Sequence, residues 1–412
     1  MEATLQGIFK AGFKHYREQH GLSMDQFQAA QAIMSCQSET LGYEEWQCLD
    51  DGHTERLNHS CRHRSCPRCN QALTHDWLEK TKTRLLPCDH YHVVFTLPHE
   101  LNPIWPYNRH WCSDHLFKAS SETLQQLLKD ERYLGARVGM LSSLHTWGRT
   151  LSFHPHVHVL VTGGGLSGNT WHGLEKDFLL PVGVLKAKFR GKWLAWLNNA
   201  YTNGEIRLPP DWSEQTWKKT LSQIARKNWN VRIQGAYRHG HGVAVYLSRY
   251  VRGGPIKDSR LVQGDESHVA FRYRAHLDNK EQLHRLSTDH FMSRVLWHVP
   301  VKGQHNVRYY GIYVPGARDK RDLIRAQLGE ERGENTPIKN VKQRQCPECG
   351  RPLLHRLSTR RKISCIKSTS TPAHVQQGVG VDREAASRRQ DWYIYKPPPD
   401  FFAAYGGNST KR

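Results

Sequence analysis

Residues 153 to 162 read Phe-His-Pro-His-Val-His-Val-Leu-Val-Thr, and Gly163, Gly164 and Gly165 follow. In an extended strand successive side chains point to opposite faces. His154, His156 and His158 then share one face, and Val157, Val159 and Val161 share the other. The valines suit a core, and the imidazoles stand side by side opposite it. Neutral imidazole is a common metal ligand, so the stretch predicts a buried strand presenting a metal site. The competing reading is a strand with incidental histidines. The glycines are expected to end the strand in a turn that lets a backbone or a ligand come close.

A second group of residues suited to chemistry lies earlier. Cys36, Cys48, Cys61, Cys66 and Cys69 fall close together, and the last three sit in Cys61-Arg-His-Arg-Ser-Cys66-Pro-Arg-Cys69. A C-x-x-C knuckle puts two thiolates on one tight turn, and Zn²⁺ takes four such donors in a tetrahedron. Cys48, Cys61, Cys66 and Cys69 are the expected four, with Cys36, Asp51 or His53 as substitutes. Asp51 stands where a first knuckle would carry its second cysteine. Arg62, Arg64 and Arg68 surround the knuckle and suit a phosphate backbone. Near the other end Cys346, Cys349 and Cys365, with His355 as a further donor, suggest a second, smaller zinc knuckle.

The third group is Tyr246 and Tyr250, in a stretch from Gly242 to Gly254 that reads as a helix stopped by Gly253, Gly254 and Pro255. Residues four apart share a helical face, so the two phenols project together and Arg249 and Arg252 flank them. Val243, Leu247 and Val251 can face a core. Packing is the plainer role for such a pair. Beside a metal, however, a tyrosine with an ordinary pKa of ~10 gains a use. A Lewis acid draws electron density from phosphorus, neighbouring cations stabilise the phenolate, and attack forms a phosphotyrosine.

The composition favours such a substrate. The 412 residues carry 59 Lys+Arg against 38 Asp+Glu, a formal charge of +21, with a pI near 9.6. That balance points to a polyanionic partner, above all nucleic acid. The 13 Trp and 16 Tyr offer stacking surfaces for unpaired bases as well as core. No apolar run approaches the ~20 residues of a spanning helix, and the first residues lack the pattern of a signal peptide. The expected setting is the cytosol, where cysteines serve as ligands or free thiols.

The elements that must position these groups can be read coarsely, and they make an α+β chain. Residues 1–35 are helical by spacing, and 71–86 form a helix leading out of the cysteine cluster. Residues 91–97 and 138–147 read as strands, with a mostly helical stretch at 111–134 between them. The 138–147 strand and the histidine strand suit an antiparallel hairpin, which places His145 across from the histidines, either as a third ligand or as a hydrogen-bonded structural histidine. A basic, aromatic helix at 184–201 lies in a mixed stretch, 171–228, and reads either as part of an insertion contacting DNA or simply as an amphipathic helix. Strands follow at 229–234, 269–274 and 307–313, and a helix at 289–297 capped by Thr288 or Asp289. Residues 317–412 hold 20 Lys+Arg against 10 Asp+Glu with little periodicity, and the end reads as a flexible basic tail.

Together these motifs resemble a known family. His156-Val157-His158 matches the HUH motif of single-strand nicking enzymes, and Tyr246-x-x-x-Tyr250 their two-tyrosine motif. The Cys61–Cys69 knuckle and the run from Leu144 through Gly148 to His158 are similar to rolling-circle transposases of bacterial insertion sequences. Phe271-Arg272-Tyr273 and Arg308-Tyr309-Tyr310-Gly311 are similar to the same family. The resemblance covers about residues 36–315. Asp51 and Ser65 depart from it, standing where the family usually has Cys and His. It implies an antiparallel sheet with the HUH strand at its centre and a Mg²⁺ or Mn²⁺ ion on His156 and His158. It further implies Tyr246 and Tyr250 as nucleophiles on single-stranded DNA at transposon ends. The expected division is a helical and zinc-binding domain at 1–86, an HUH nuclease domain at 87–316, and a basic C-terminal region at 317–412. A plasmid replication initiator or relaxase would share the chemistry. A zinc-dependent DNA-binding regulator or a water-activating metallohydrolase would not form a covalent adduct.

Overall fold

The computed structural model describes residues 3–174, 178–237, 254–275, 278–329 and 344–360. In chain order the elements are α1 (Leu5–Gln19), α2 (Met24–Ser35), β1 (Gly42–Gln47), β2 (Thr54–Asn58), α3 (Pro67–Lys82), β3 (His90–Thr96) and α4 (Arg109–Leu128). Then come β4 (Arg137–Trp147), β5 (Phe153–Ser167), β6 (Thr170–Gly173), α5 (Val182–Thr202), α6 (Glu214–Arg226) and β7 (Val231–Tyr237). The remainder is β8 (Leu261–Gly264), β9 (His268–Arg274), β10 (Glu281–Ser287), α7 (Thr288–Trp297), β11 (Val307–Gly311), α8 (Arg318–Gln327) and β12 (Leu354–Arg360). The chain is α+β, and every strand pairing among these elements is antiparallel.

The largest sheet runs β11-β4-β5-β3-β7, with β6 added to β5. The histidine strand β5 is therefore central, flanked by β4 and β3. Val157, Val159 and Val161 are fully buried in a core shared with α4, α5 and α6 that includes Phe117, Phe189, Trp193 and Trp217. Each valine contributes roughly 1.5–3 kcal/mol by leaving water, which fixes the face on which β5 presents its histidines. A one-residue slip would exchange the two faces. The basic stretch at 184–201 thus sits on α5, whose Leu185, Phe189, Trp193 and Leu197 pack into this core.

Two expectations change. The triple glycine does not end the strand, because β5 continues to Ser167 and the turn comes at Gly168, with φ +58°. Gly164 and Gly165 are instead places of close approach. A Cβ would lie 2.5 Å from the Trp171 ring at the first and 2.8 Å from Ala136 Cβ at the second. The cap of α7 is Ser287, whose hydroxyl accepts from the His290 N–H at 3.3 Å, and not Thr288 or Asp289.

A second core joins α1 and α2 to α7 and to the sheet β10-β9-β8, through Phe9, Phe13, Ile33, Phe271, Phe291 and Leu296. Cys36, Cys66 and Cys69 belong to it. The third sheet is β12-β1-β2, so a strand from the basic C-terminal region pairs with the first strand of the chain. Helix α8 lies in that region too. Its Ile324 is buried beside Leu160 and Ile312, and its Arg325 guanidinium donates to the carbonyls of Thr83 and Leu85. No helix among the described residues is long and apolar enough to cross a membrane.

Candidate active site and zinc centre

His145, His156 and His158 come together as one group of buried donors, with their ligand atoms within 4.8 Å of one another. Register explains it. His145 on β4 stands directly opposite His156 on β5, and Ser143 stands opposite His158. Ring centroids are 5.4 Å apart for His145 and His156, 4.5 Å for His145 and His158, and 4.8 Å for His156 and His158. Trp147 stacks on His145 at 4.7 Å. His154 shares the face but is exposed and lies outside the group.

Hydrogen bonding selects the tautomers. A carbonyl can only accept, so the 2.6 Å contact between His156 Nδ1 and the His154 oxygen puts the proton on Nδ1. His156 Nε2 then carries the lone pair. For His158 the selection passes through a residue that the sequence reading did not single out, His92 on β3. Gln234 on β7 is paired with His92 in register. Its Oε1 accepts from His92 Nδ1–H at 2.9 Å and from the Tyr237 hydroxyl at 3.2 Å. His92 Nε2 is thereby an acceptor, and His158 Nδ1–H donates to it at 2.8 Å. His158 Nε2 is left as the electron-pair nitrogen.

Burial reinforces the neutral forms. His156 and His158 are held well below the ordinary imidazole range, first by desolvation and then by the neighbouring His145. Two neutral imidazoles with lone pairs on Nε2, beside His145, suit a divalent cation, and an outer partner such as His92 is what a ligating histidine needs for orientation. Exposed Arg232 stands on β7 opposite Val94, which itself pairs with His158, so a cation borders the group. Tyr246, Tyr250, Arg249 and Arg252 lie outside the described residues.

The cysteines sort differently from their spacing. Cys36, Cys61, Cys66 and Cys69 form one cluster, and Cys48 is not in it. Cys36 is the C-cap of α2, and that helix brings its thiol to 3.5 Å from Cys69; Cys61 also lies 3.5 Å from Cys69. Four sulfurs around Zn²⁺ at ~2.3 Å have edges of about 3.8 Å, so the donor set fits. Backbone N–H groups of Arg62 and His63 point at Cys69 and Cys61 sulfurs, at 3.2 and 3.4 Å. Arg62 adopts a left-handed φ of +54° to make that turn. The Cys69 thiol is held well below its usual range by hydrogen bonds from Cys36, then Cys61 and Cys66. This is a structural zinc site. Ser65 takes no part, being buried beside it with its N–H on His63 Nδ1.

Arg62, Arg64 and Arg68 are exposed around this knuckle. Arg64 reaches the Gln304 carbonyl at 2.9 Å, which ties the knuckle to the loop after α7. Cys48 lies instead with Asp51, Cys346 and Cys349. His53 contributes backbone contacts there, its N–H on Asp51 at 2.9 Å. His355 stacks edge-on against Trp46, and Cys365 lies outside the described residues.

Two family models match the chain. One, described as "Transposase zinc-binding domain", covers residues 8–97, and one described as "Putative transposase" covers residues 139–321. The first spans the four-thiol cluster and the second spans β4, β5 and the region of the tyrosines. Among curated relatives, "Putative transposase y4qJ" of Sinorhizobium fredii is 33% identical over 364 residues, covering 83% of this chain and 92% of that one. "Transposase for insertion sequence element IS801" of Pseudomonas savastanoi pv. phaseolicola is 30% identical over 320 residues, covering 74% of this chain and 75% of that one. No solved structure is a significant match.

Proposed function

Because the chain belongs to the IS91-type transposases, DNA-processing enzymes with a zinc-binding domain, we propose that it nicks and rejoins single-stranded DNA at transposon ends through a covalent 5′-phosphotyrosine. The observation that carries the proposal is the buried group of His145, His156 and His158, in which the two β5 histidines are neutral and turned by their outer hydrogen bonds so that Nε2 offers a lone pair.

These three residues would hold a Mg²⁺ or Mn²⁺ ion, which supplies Lewis-acid polarisation of a phosphodiester oxygen. The chain's own residues do the rest. The hydroxyl of Tyr246 or Tyr250 attacks phosphorus, the P–O3′ bond breaks, and the leaving oxygen takes a proton to become a free 3′-hydroxyl. The phosphotyrosine bond keeps the energy of the diester, so a 3′-hydroxyl can reverse the step without ATP. A second tyrosine permits a second strand transfer before the first product leaves. Arg232 would offset phosphate charge near the site, Arg249 and Arg252, next to the tyrosines in the sequence, would do so at the attacked phosphate, and Arg62, Arg64 and Arg68 would extend the basic surface. The net charge of +21 supports DNA as the partner.

Incubation with labelled single-stranded DNA carrying the element's end, followed by a denaturing gel, tests the class. The expected result is an adduct that needs Mg²⁺ or Mn²⁺ and is absent in His156→Ala and His158→Ala, while both variants still bind DNA. Normal nicking by His158→Ala would remove the metal assignment. Cleavage without an adduct would favour water activation.

A further inference from the structure

Two turns that lie some 300 residues apart have one shape. The first is Cys48-Leu49-Asp50-Asp51-Gly52 and the second Cys346-Pro347-Glu348-Cys349-Gly350. Each is closed by its glycine N–H on the carbonyl of its leading cysteine, Gly52 to Cys48 at 3.2 Å and Gly350 to Cys346 at 2.9 Å. Each glycine is left-handed, with φ of +74° and +73°. Each leading cysteine gives its own N–H to the residue after the glycine, Cys48 to the His53 carbonyl and Cys346 to the Arg351 carbonyl. Such a turn aims the first and fourth side chains to one side. In the first turn the fourth residue is Asp51; in the second it is Cys349.

The turns face each other. Cys48 Sγ is 3.5 Å from Cys349 Sγ, and Cys346 Sγ is 3.2 Å from Asp51 Oδ2. All four donor atoms lie within 4.8 Å of one another. The His53 N–H occupies Asp51 Oδ1 at 2.9 Å, which leaves Oδ2 turned into the group. Cys48, Cys346 and Leu353 form a small buried cluster with Trp46 packed on it, whereas Asp51 and Cys349 are exposed. The approach is reinforced by β12 pairing with β1 and by ion pairs of Arg351 with Asp50 and Arg344 with Glu55.

We propose that Cys48, Asp51, Cys346 and Cys349 bind a second Zn²⁺, a three-thiolate, one-carboxylate clasp that fastens the region around β1 to that around β12. The matched zinc-binding model ends at residue 97 and does not reach Cys346 or Cys349. Thiolates select zinc over hard cations such as Mg²⁺ and Ca²⁺, and a carboxylate oxygen accepts zinc at ~2.0–2.2 Å. The clasp closes a loop containing the whole of the large sheet, so the C-terminal strand is held to the chain's first sheet by metal as well as by hydrogen bonds. With one carboxylate and two exposed donors, it gives up its metal to a chelator before the four-thiol site does.

Elemental analysis of the full chain separates this from two independent knuckles. Wild type should hold two zinc ions per chain. Cys48→Ser and Cys349→Ser should each hold one, and the double variant should also hold one, because both residues serve one ion. Retention of two ions by Cys349→Ser, or loss of both only when the two changes are combined, would overturn the clasp. Asp51→Cys decides even if the serine variants fail to fold. With Co²⁺ in place of zinc, it should raise the sulfur-to-cobalt absorption of the second site by about one third, as three thiolates become four, and should resist chelation longer. No change in absorption would place Asp51 outside the metal's ligands.

Discussion

His92 Nε2 lies 2.8 Å from His158 Nδ1, with the two rings stacked 5.0 Å apart at 9°. This contact links β7, β3 and β5, and it decides which nitrogen of His158 can face a cation. An outer partner of this kind typically changes metal affinity by about 10–100-fold. His92→Phe should therefore raise the Mn²⁺ concentration needed for half-maximal nicking by about that factor, with activity returning at saturating metal. Gln234→Leu should produce a smaller rise in the same direction. Titration of nicking against Mn²⁺ checks both, and an unchanged metal requirement in His92→Phe would separate His92 from the site.

Two buried histidines outside the metal group make folding sensitive to acid. His90 donates from Nδ1 to the Cys88 carbonyl and accepts at Nε2 from the Tyr313 hydroxyl. His298 donates from Nε2 to the Leu151 carbonyl and accepts at Nδ1 from Thr146. In each case the neutral ring is fully satisfied, and burial lowers His90 to about 4 and His298 to about 3 from the ordinary 6.5. The unfolded chain then binds more protons than the native one below about pH 6.5. Stability should be full above that pH and fall as pH drops from 6.5 towards 4, by at most roughly 1.4 kcal/mol per pH unit for each histidine. Urea midpoints at pH 7.5 and 5.5 measure this, and His298→Gln should flatten the slope. A midpoint that rises on acidification would contradict the assignment.

How much of this was legible depends on the range of each signal. The alternation of Val157, Val159 and Val161 with His156 and His158 is local, and so is the short turn that sets β4 against β5. The meeting of His145 with His156 and His158 could therefore be read directly. His92 was not visible as part of the group because β3 is buried on both faces, with Val93 and Phe95 in one core and His90 and His92 enclosed on the other side. The run from Tyr91 to Leu97 reads as a buried strand without distinguishing its faces. Spacing favoured Cys48 over Cys36 as a zinc ligand, yet α2 delivers Cys36. The pairing of β12 with β1 has no local mark at all.

The zinc site should depend on Cys36 as strongly as on the knuckle. Cys36→Ser and the Cys66→Ser, Cys69→Ser double variant should both lose the four-thiol zinc. Structural zinc contributes of order ~10 kcal/mol in small modules. The core shared by α1, α2 and α7 should therefore loosen, seen as lost protection from amide hydrogen exchange at Phe9, Ile33 and Phe291. A zinc-free Cys36→Ser protein with unchanged protection would show that the cluster does not stabilise this core.

Replacing Gly311 tests the edge of the large sheet. It adopts φ +60°, and a Cβ there would lie 1.8 Å from the Val138 carbonyl on β4. Gly311→Ala should cost about 2–4 kcal/mol by combining backbone strain with a forced shift of β11. Denaturant unfolding gives the figure. A loss under about 0.5 kcal/mol would mean that β11 adjusts freely.

The covalent step is tested most directly by identifying the residue that carries DNA. Adduct formed with single-stranded DNA and Mn²⁺ is digested with protease and nuclease, and the nucleotide-bearing peptide is sequenced by mass spectrometry. The predicted result is a 5′-phosphate ester on Tyr246 or Tyr250, with no adduct in the Tyr246→Phe, Tyr250→Phe double variant, since only the hydroxyl is removed. Each single variant should still cleave one strand and fail to complete transposition. A nucleotide on any other residue, or trapping by the double Phe variant, would contradict the two-tyrosine mechanism.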